Sequence, residues 1–331
     1  MTNEAEPGSA RLPSDETREH LMLQAAKLYY ELDKTQNEIA HELGLTRWQV
    51  SRLIREAREV GVVRIEILPR SQRRAQLEAT LQKTFGLREA VVVRRPDIED
   101  DALLIENVAQ AAGQFLSTVN PRPSLVGVSW GRTMAAVARW LPPAWTGDVH
   151  VVLVNGATTH RSTSYQANFV AERFAQTATN GRATLLPVPA IVGKSATRDV
   201  LEEDPVIAGV LELARSAPFV CFGMGALSAT SVLVESGYIG SADIERLARA
   251  GAVGDILGRF IDAHGSIVDP ELDARTIGLR PEALRGIPWS IGISAGEAKH
   301  AVVLGCLEAG YVKVLITDDA TARYALEHRR G

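Results

Sequence analysis

The stretch QNEIAHELGLTRWQVSRLIREAREVGVVRIEI, residues 36–67, decides how the chain is read. Thr35 stands just ahead of it and Glu38 three residues on, the Thr-x-x-Glu pattern of a capping box, so a helix starts here. Ile39, Ala40 and Leu43 recur at helical spacing and form its inward face. Gly44 stops it, because glycine enters the left-handed backbone of a helix C-terminus without steric cost. Thr46 then caps another helix, whose buried stripe is Val50, Leu53, Ile54 and Ala57. A short helix, a glycine turn and a second helix spell a helix-turn-helix, in which the second helix enters the major groove of DNA with its first residues nearest the bases. Those residues are Thr46, Arg47, Trp48 and Gln49, followed by Ser51, Arg52 and Arg55, with Gln36 opening the preceding helix. Arg pairs with guanine and Gln with adenine, while Ser, Thr and further Arg suit phosphates. Between residues 46 and 74 eight Arg stand against three Glu, about +5 within a chain of formal net charge −4. An acidic total therefore does not exclude nucleic acid.

Around this stretch the chain divides. Its 331 residues suit two domains, and 46% hydrophobic with 23% charged residues is an ordinary globular composition. Residues 1–14 read as a disordered lead-in. A first helix follows, capped by Ser14 or Asp15, with Leu21, Ala25, Leu28 and Leu32 as its apolar stripe. VVRIEIL, residues 62–68, reads as a strand or wing that brings Arg64 toward phosphate, so the DNA-binding domain spans 15–69 and is mainly helical, of winged type. SQRRAQLEATLQKTFGL predicts a linker helix within 70–89, carrying Leu77, Leu81 and Phe85 and ended by Gly86, as a joint and a candidate dimer contact. Cys221 and Cys306 lie in apolar runs without a CxxC partner, which implies reduced core thiols and a cytoplasmic location. The first twenty residues contain no apolar core of a secretory leader, and no run approaches a membrane span. No metal site or cofactor motif is recognised.

From residue 90 to 331 short β-rich runs alternate with helical runs, the signature of a three-layer α/β/α domain on a mostly parallel sheet. The strands predicted are EAVVVR, SLVGVS, VHVVLVN, ATLLPVPA, FVCFGM, WSIGIS and VKVLITD. Ligands of such sheets bind beyond the carboxyl ends of the strands. One strand there runs into Ser129, Trp130, Gly131, Arg132 and Thr133 and then a helix, where glycine, free N–H groups and an arginine together suit a phosphate. Gly223 and Gly225 follow another apolar strand. GAVGDILGRFIDAHG places Asp255, Arg259 and Asp262 among glycines, and ISAGEAKHAV sets Lys299 in the first turn of a helix.

Taken together, residues 36–67, GVSWGRT, GAVGDILGRF, the small-residue turn before Lys299 and YVKVLITDDATARYAL resemble, in order, the SorC/DeoR family of sugar-responsive bacterial transcriptional regulators. The resemblance covers roughly residues 15–328. It implies an effector domain similar to the sugar-phosphate isomerase, glucosamine-phosphate deaminase and CoA-transferase fold, in which Trp130, Gly131, Arg132 and Thr133 hold a phosphate, Asp255 binds sugar hydroxyls and Lys299 adds a positive contact. Some relatives hold their sugar through a lysine Schiff base, but the loop GATTHRSTSYQ contains no lysine. Noncovalent binding is expected, with Gln166 and Asn168 as polar contacts. The resemblance further implies a homodimer or homotetramer on palindromic operator DNA, and a protein that is not an enzyme.

A different reading starts from GVSWG, which is literally Gly-x-Ser-x-Gly, the nucleophile elbow of α/β-hydrolases. Ser129 would then need an acid and a histidine, for which Asp262 and His300 are available in the right order. An isomerase- or deaminase-like enzyme using Asp255 and Lys299 for proton transfer is the other alternative. Both leave the helix-turn-helix unexplained.

Overall fold

The computed structural model describes residues 15–63, 73–97, 100–156 and 167–329. The lead-in, most of the expected wing with Arg64, and Gln166 lie outside them. Contacts divide the chain into two compact units, residues 1–70 and 71–331.

In the first unit, three helices share one small core: α1 (Asp15–Tyr30), α2 (Gln36–Leu43) and α3 (Arg47–Glu59). The capping box is formed, with the Thr35 N–H donating to Glu38 Oε2 at 2.8 Å and the Glu38 N–H to Thr35 Oγ1 at 3.4 Å. Gly44 sits at φ +65° and ends α2. Val50, Leu53, Ile54 and Ala57 of α3 pack against Ile39 and Ala40 of α2 and against Met22, Ala25 and Ala26 of α1. Leu32 departs from the expected stripe: α1 has ended at Tyr30, and Leu32 is 61% exposed.

The second unit opens with α4 (Ala75–Phe85), followed by β1 (Glu89–Val93), α5 (Asp101–Thr118), β2 (Leu125–Val128), α6 (Arg132–Trp140), β3 (Asp148–Leu153), α7 (Ala167–Gln176) and β4 (Asn180–Thr184). Next come α8 (Ser195–Glu203), α9 (Pro205–Ser216), β5 (Phe219–Ala226), α10 (Val232–Glu235), α11 (Ser241–Arg249), β6 (Gly254–Ile256), β7 (Arg259–Ile261) and α12 (Pro270–Asp273). A 3-10 turn, β8 (Trp289–Ile293), a second 3-10 turn (Glu297–Lys299), α13 (His300–Glu308), β9 (Val314–Asp318) and α14 (Asp319–Glu327) complete it. The strands lie in the order β1-β9-β8-β5-β2-β3-β4, all parallel, and the β6–β7 hairpin pairs antiparallel to the end of β5. Helices cover both faces, which is why β8 and β9 are buried at every position and mostly apolar. The result is the three-layer α/β/α arrangement.

Helix α4 is integral to this unit. Its Glu78 is buried, takes a bidentate pair from Arg73 at 2.8 and 2.9 Å, and accepts the Val92 N–H at 2.9 Å, which ties the helix to β1. Two features differ from expectation. The strand expected in ATLLPVPA begins earlier, at Asn180, and ends at Thr184, before the prolines that cannot donate to a ladder. Residues 254–261, read as a glycine turn, are a tight hairpin whose two-residue corner, Leu257 and Gly258, has φ of +54° and +80°, the backbone of a type I′ turn. Both cysteines are buried and unpaired, as expected of core thiols.

Candidate functional site

Beyond the carboxyl ends of β2, β3, β5 and β8 lies a cavity of about 320 Å³. Sheet topology explains its place: β5 and β2 are adjacent centre strands, and the chain leaves β2 directly into α6. Ser129, Trp130, Gly131, Arg132, Thr133, Gly223, Gly225, Asp255 and Lys299 all line it. Nine sequence-predicted residues are thus brought together from four separate segments. Asn168 is not among them. It is exposed on α7, which packs inward through Val170, Ala171 and Phe174.

One end of the cavity is cationic. Gly131, at φ +135°, is the N-cap of α6, and no side chain caps that helix, so its first N–H groups and dipole act on the cavity. Lys299 Nζ donates to Thr133 Oγ1 at 3.2 Å. Lys299 ends a 3-10 turn immediately before α13, rather than standing in that helix's first turn. Its turn is anchored to β9 by the Gly296 N–H, which donates to Asp318 Oδ2 at 3.0 Å. The Arg132 guanidinium donates to the Thr230 carbonyl at 2.7 Å and pairs with Glu235 of α10.

Asp255 enters from the β6–β7 hairpin. A Cβ on Gly225 would lie 1.9 Å from Asp255 Oδ1, so glycine at that position of β5 leaves the room that the carboxylate occupies. Burial pushes the Asp255 carboxyl up to about 6, against the opposing pull of the Gly258 amide and of Lys299. Burial, and next the charge of Arg132, bring the Lys299 ammonium down to about 8, with Asp255 opposing. Gly223 has no such constraint; a Cβ there would meet Thr133 at an ordinary 3.7 Å. The floor is held by Trp130, whose indole N–H donates to the Gly156 carbonyl at 2.9 Å while its ring lies 6.3 Å from that of Tyr238.

Sequence reading missed Asn155, Thr230 and Glu235. Asn155 ends the VHVVLVN run, where the strand-end rule alone would have marked it. Thr230 and Glu235 are separated from Arg132 by 98 and 103 residues, and no local pattern links them. Arg259 and Asp262 have structural tasks. Arg259 is buried, pairs with Asp273 at 2.7 Å and donates to the carbonyls of Leu279 and Thr276 at 3.1 Å, which locks the hairpin to the segment after α12. Asp262 accepts the N–H groups of His264 and Ser266. The hydrolase reading therefore lacks its relay among the described residues: Ser129 Oγ accepts the Gly223 N–H at 3.3 Å, Asp262 serves its own turn, and His300 lies 4.8 Å from the Tyr324 ring.

In the first unit, α3 presents Arg47, Trp48, Arg52 and Arg55 as exposed side chains, with Ser51 half-buried. Trp48 is 70% exposed, and the Arg52 guanidinium lies 5.8 Å from the centre of its ring. Gln49 has a second task. Its Oε1 accepts the Thr46 N–H at 2.8 Å and the Thr46 hydroxyl at 2.9 Å, closing a capping box on α3. Only its amide N–H₂ is left for a base, and adenine recognition uses both groups. Among the described residues no helix is long and apolar enough to cross a membrane, and no cluster of His, Cys, Asp and Glu is placed to hold a metal ion.

Comparison with known proteins bears on both units. Residues 70–327 match the model of a family described as "Putative sugar-binding domain". The chain is 32% identical over 310 residues to the deoxyribonucleoside regulator of Bacillus subtilis, covering 93% of this chain and 98% of that one. It is 30% identical to the sorbitol operon regulator of Klebsiella pneumoniae over 95% and 99% of the two chains. The crystal structure of the full-length sorbitol operon regulator SorC from Klebsiella pneumoniae superposes with a TM-score of 0.68 at 28% identity, covering 95% of this chain and all of that one. The helix-turn-helix unit, the three-layer unit with its strand-end cavity, and end-to-end similarity to such regulators agree: the chain belongs to the SorC/DeoR family of sugar-responsive transcriptional regulators.

Proposed function

We propose that this protein binds operator DNA through α3 and that a phosphorylated sugar or polyol, seated at the strand ends of the second unit, sets the strength of that binding. The observation that carries the ligand class is the pairing of two chemistries in one cavity. The uncapped start of α6 with Arg132 and Lys299 suits a phosphate, and the carboxylate of Asp255 suits sugar hydroxyls. The names of relatives, which include regulators of sorbitol and erythritol catabolism, favour a carbohydrate or polyol operon.

The switch follows from what Arg132 already holds. Its pair with Glu235 is half exposed and worth little by itself. A phosphate offers the guanidinium a stronger acceptor, and taking it releases α10 and the loop that carries Ser228, Thr230 and Ser231 along the cavity wall. The ligand thereby favours one arrangement of the chain over another, which is the only way a ligand can shift an equilibrium. A homodimer or homotetramer of the second unit would set the spacing of paired α3 helices on a palindrome. The functional test is selection of operator fragments with the purified chain, followed by gel-shift in the presence of a panel of sugar and polyol phosphates. We expect one or a few phosphates to change the shift while their unphosphorylated sugars do not; indifference to the whole panel would refute the ligand class.

A further inference from the structure

Among the described residues, one buried polar group in the cavity has no partner of its own. Asn155 is only 4% exposed, it lines the cavity, and among the described residues its side-chain oxygen accepts no hydrogen bond. Leaving a buried acceptor unpaired is costly, and such an atom calls for an explanation. Its backbone setting shows that the position is fixed. The Leu279 N–H donates to the Val154 carbonyl at 2.7 Å and the Gly156 N–H to the Ile277 carbonyl at 3.1 Å, so both neighbours of Asn155 are tied to the segment 277–279. Between them Asn155 pairs with Gly278, which has φ +135° and whose missing Cβ would lie 2.6 Å from Asn155 Cα. The Trp130 indole holds Gly156 from the other side. A side chain on so rigid a mount is preorganised, the condition for selective recognition rather than for adaptable filling.

Strand order adds direction. Asn155 follows β3, the neighbour of β2, and the residues that suit a phosphate follow β2. Adjacent strands lie about 4.8 Å apart, so a ligand with its anion at the start of α6 reaches Asn155 with the next part of its carbon chain.

We propose that Asn155 reads a hydroxyl group of the ligand, its side-chain oxygen accepting the hydroxyl hydrogen, and that the effector class is therefore a phosphate ester bearing a free hydroxyl close to the phosphate. The inference rests on the proposed function above and adds to it the residue that discriminates among phosphate esters. Inorganic phosphate engages the cationic end alone, whereas a sugar phosphate engages Asn155 as well. A site built around a buried hydrogen-bonding group rejects the analogue that lacks the partner far more strongly than an apolar pocket rejects a change of shape.

The test is calorimetric titration of the full-length protein with inorganic phosphate, ribose 5-phosphate, glucitol 6-phosphate and the monodeoxy analogues of both esters, using wild type, Asn155→Leu and Asn155→Asp. We expect one deoxy analogue to bind wild type about tenfold or more weakly than its parent. In Asn155→Leu that ratio falls to about one, because the parent loses what the analogue had already lost, while inorganic phosphate binds as it does to wild type. Asn155→Asp, which keeps an acceptor, retains the discrimination. The ligand-free Asn155→Leu protein should unfold at the wild-type temperature or above, since it sheds an unsatisfied group; a merely structural asparagine would lower it. Equal losses for a parent and all its deoxy analogues, or no loss, would overturn the role of Asn155 and leave the phosphate site standing. If neither ester binds wild type, the role of Asn155 and the ligand class fall together.

Discussion

Asp255 and Lys299 share one cavity and are displaced in opposite directions, the carboxyl up to about 6 and the ammonium down to about 8. Both shifts come first from burial, so each marks a charge that the fold holds at some expense. The carboxyl is raised above its ordinary 3.8, so the ligand-free protein gains stability from this group as pH falls from about 6 toward 4. The ammonium is lowered from 10.5, so stability from this group rises with pH between about 8 and 10. Between those ranges both groups are charged, the pair destabilises the empty fold most, and the proposed ligand would meet both charges. Affinity for a sugar phosphate should therefore hold between about pH 6 and 8 and decline on either side. Lys299→Met should remove the alkaline decline. A phosphate ester also takes its second charge near pH 6, so the acid limb is read by comparison with Asp255→Asn, which should flatten it in part. An unchanged pH profile in both variants would separate these groups from binding.

Among the elements, α3 carries two tasks on neighbouring residues. Gln49 closes the capping box with Thr46, and Trp48 stands beside it, exposed and flanked by Arg52. Gln49→Ala should lower the stability of the first unit by about 1 kcal/mol, as loss of a helix cap does, and weaken operator binding mainly through that loss. Trp48→Ala should leave thermal unfolding unchanged and weaken operator binding directly. A fall in unfolding temperature for Trp48→Ala, with DNA affinity intact, would contradict this division. The same scale shows why some elements were legible in the sequence. Strands buried on both faces, such as β2, read as unbroken apolar runs. Edge strand β4 does not: Asn180–Thr184 is polar and largely exposed, and the apolar run that follows drew the expected strand downstream. Strands β6 and β7 are three residues each, too short for alternation to show. Helix α8 buries no residue and so has no inward stripe to find. At the cavity, the turn 129–133, Gly225, Asp255 and Lys299 were visible because glycine beside a charged residue after a strand is a local pattern. Glu235 was not, since a lone polar residue gains meaning only from what the fold sets against it; Asn155 stands at a strand end that the sequence shows, but its unpaired oxygen is set only by the fold.

On the scale of the whole molecule, a formal charge of −4 conceals the division of labour. Arginines gather on the exposed face of α3, while the acidic excess is shared between the residues that precede α3 and the larger unit, which also holds the cavity. By reciprocity, a ligand that weakens operator binding is itself bound more weakly in the presence of operator, and by the same factor, commonly about 5- to 150-fold. Similarity along 95% of this chain to a full-length sorbitol operon regulator makes that linkage between units the central claim. Its most direct test is fluorescence anisotropy of a labelled operator, titrated with wild type and with Lys299→Met, each with and without the sugar phosphate identified by gel-shift. The ligand should move the wild-type Kd about fivefold or more, while Lys299→Met should bind the operator as tightly as ligand-free wild type but no longer respond. An equal response of both proteins would contradict this claim, because the ligand would then act somewhere other than the strand-end cavity.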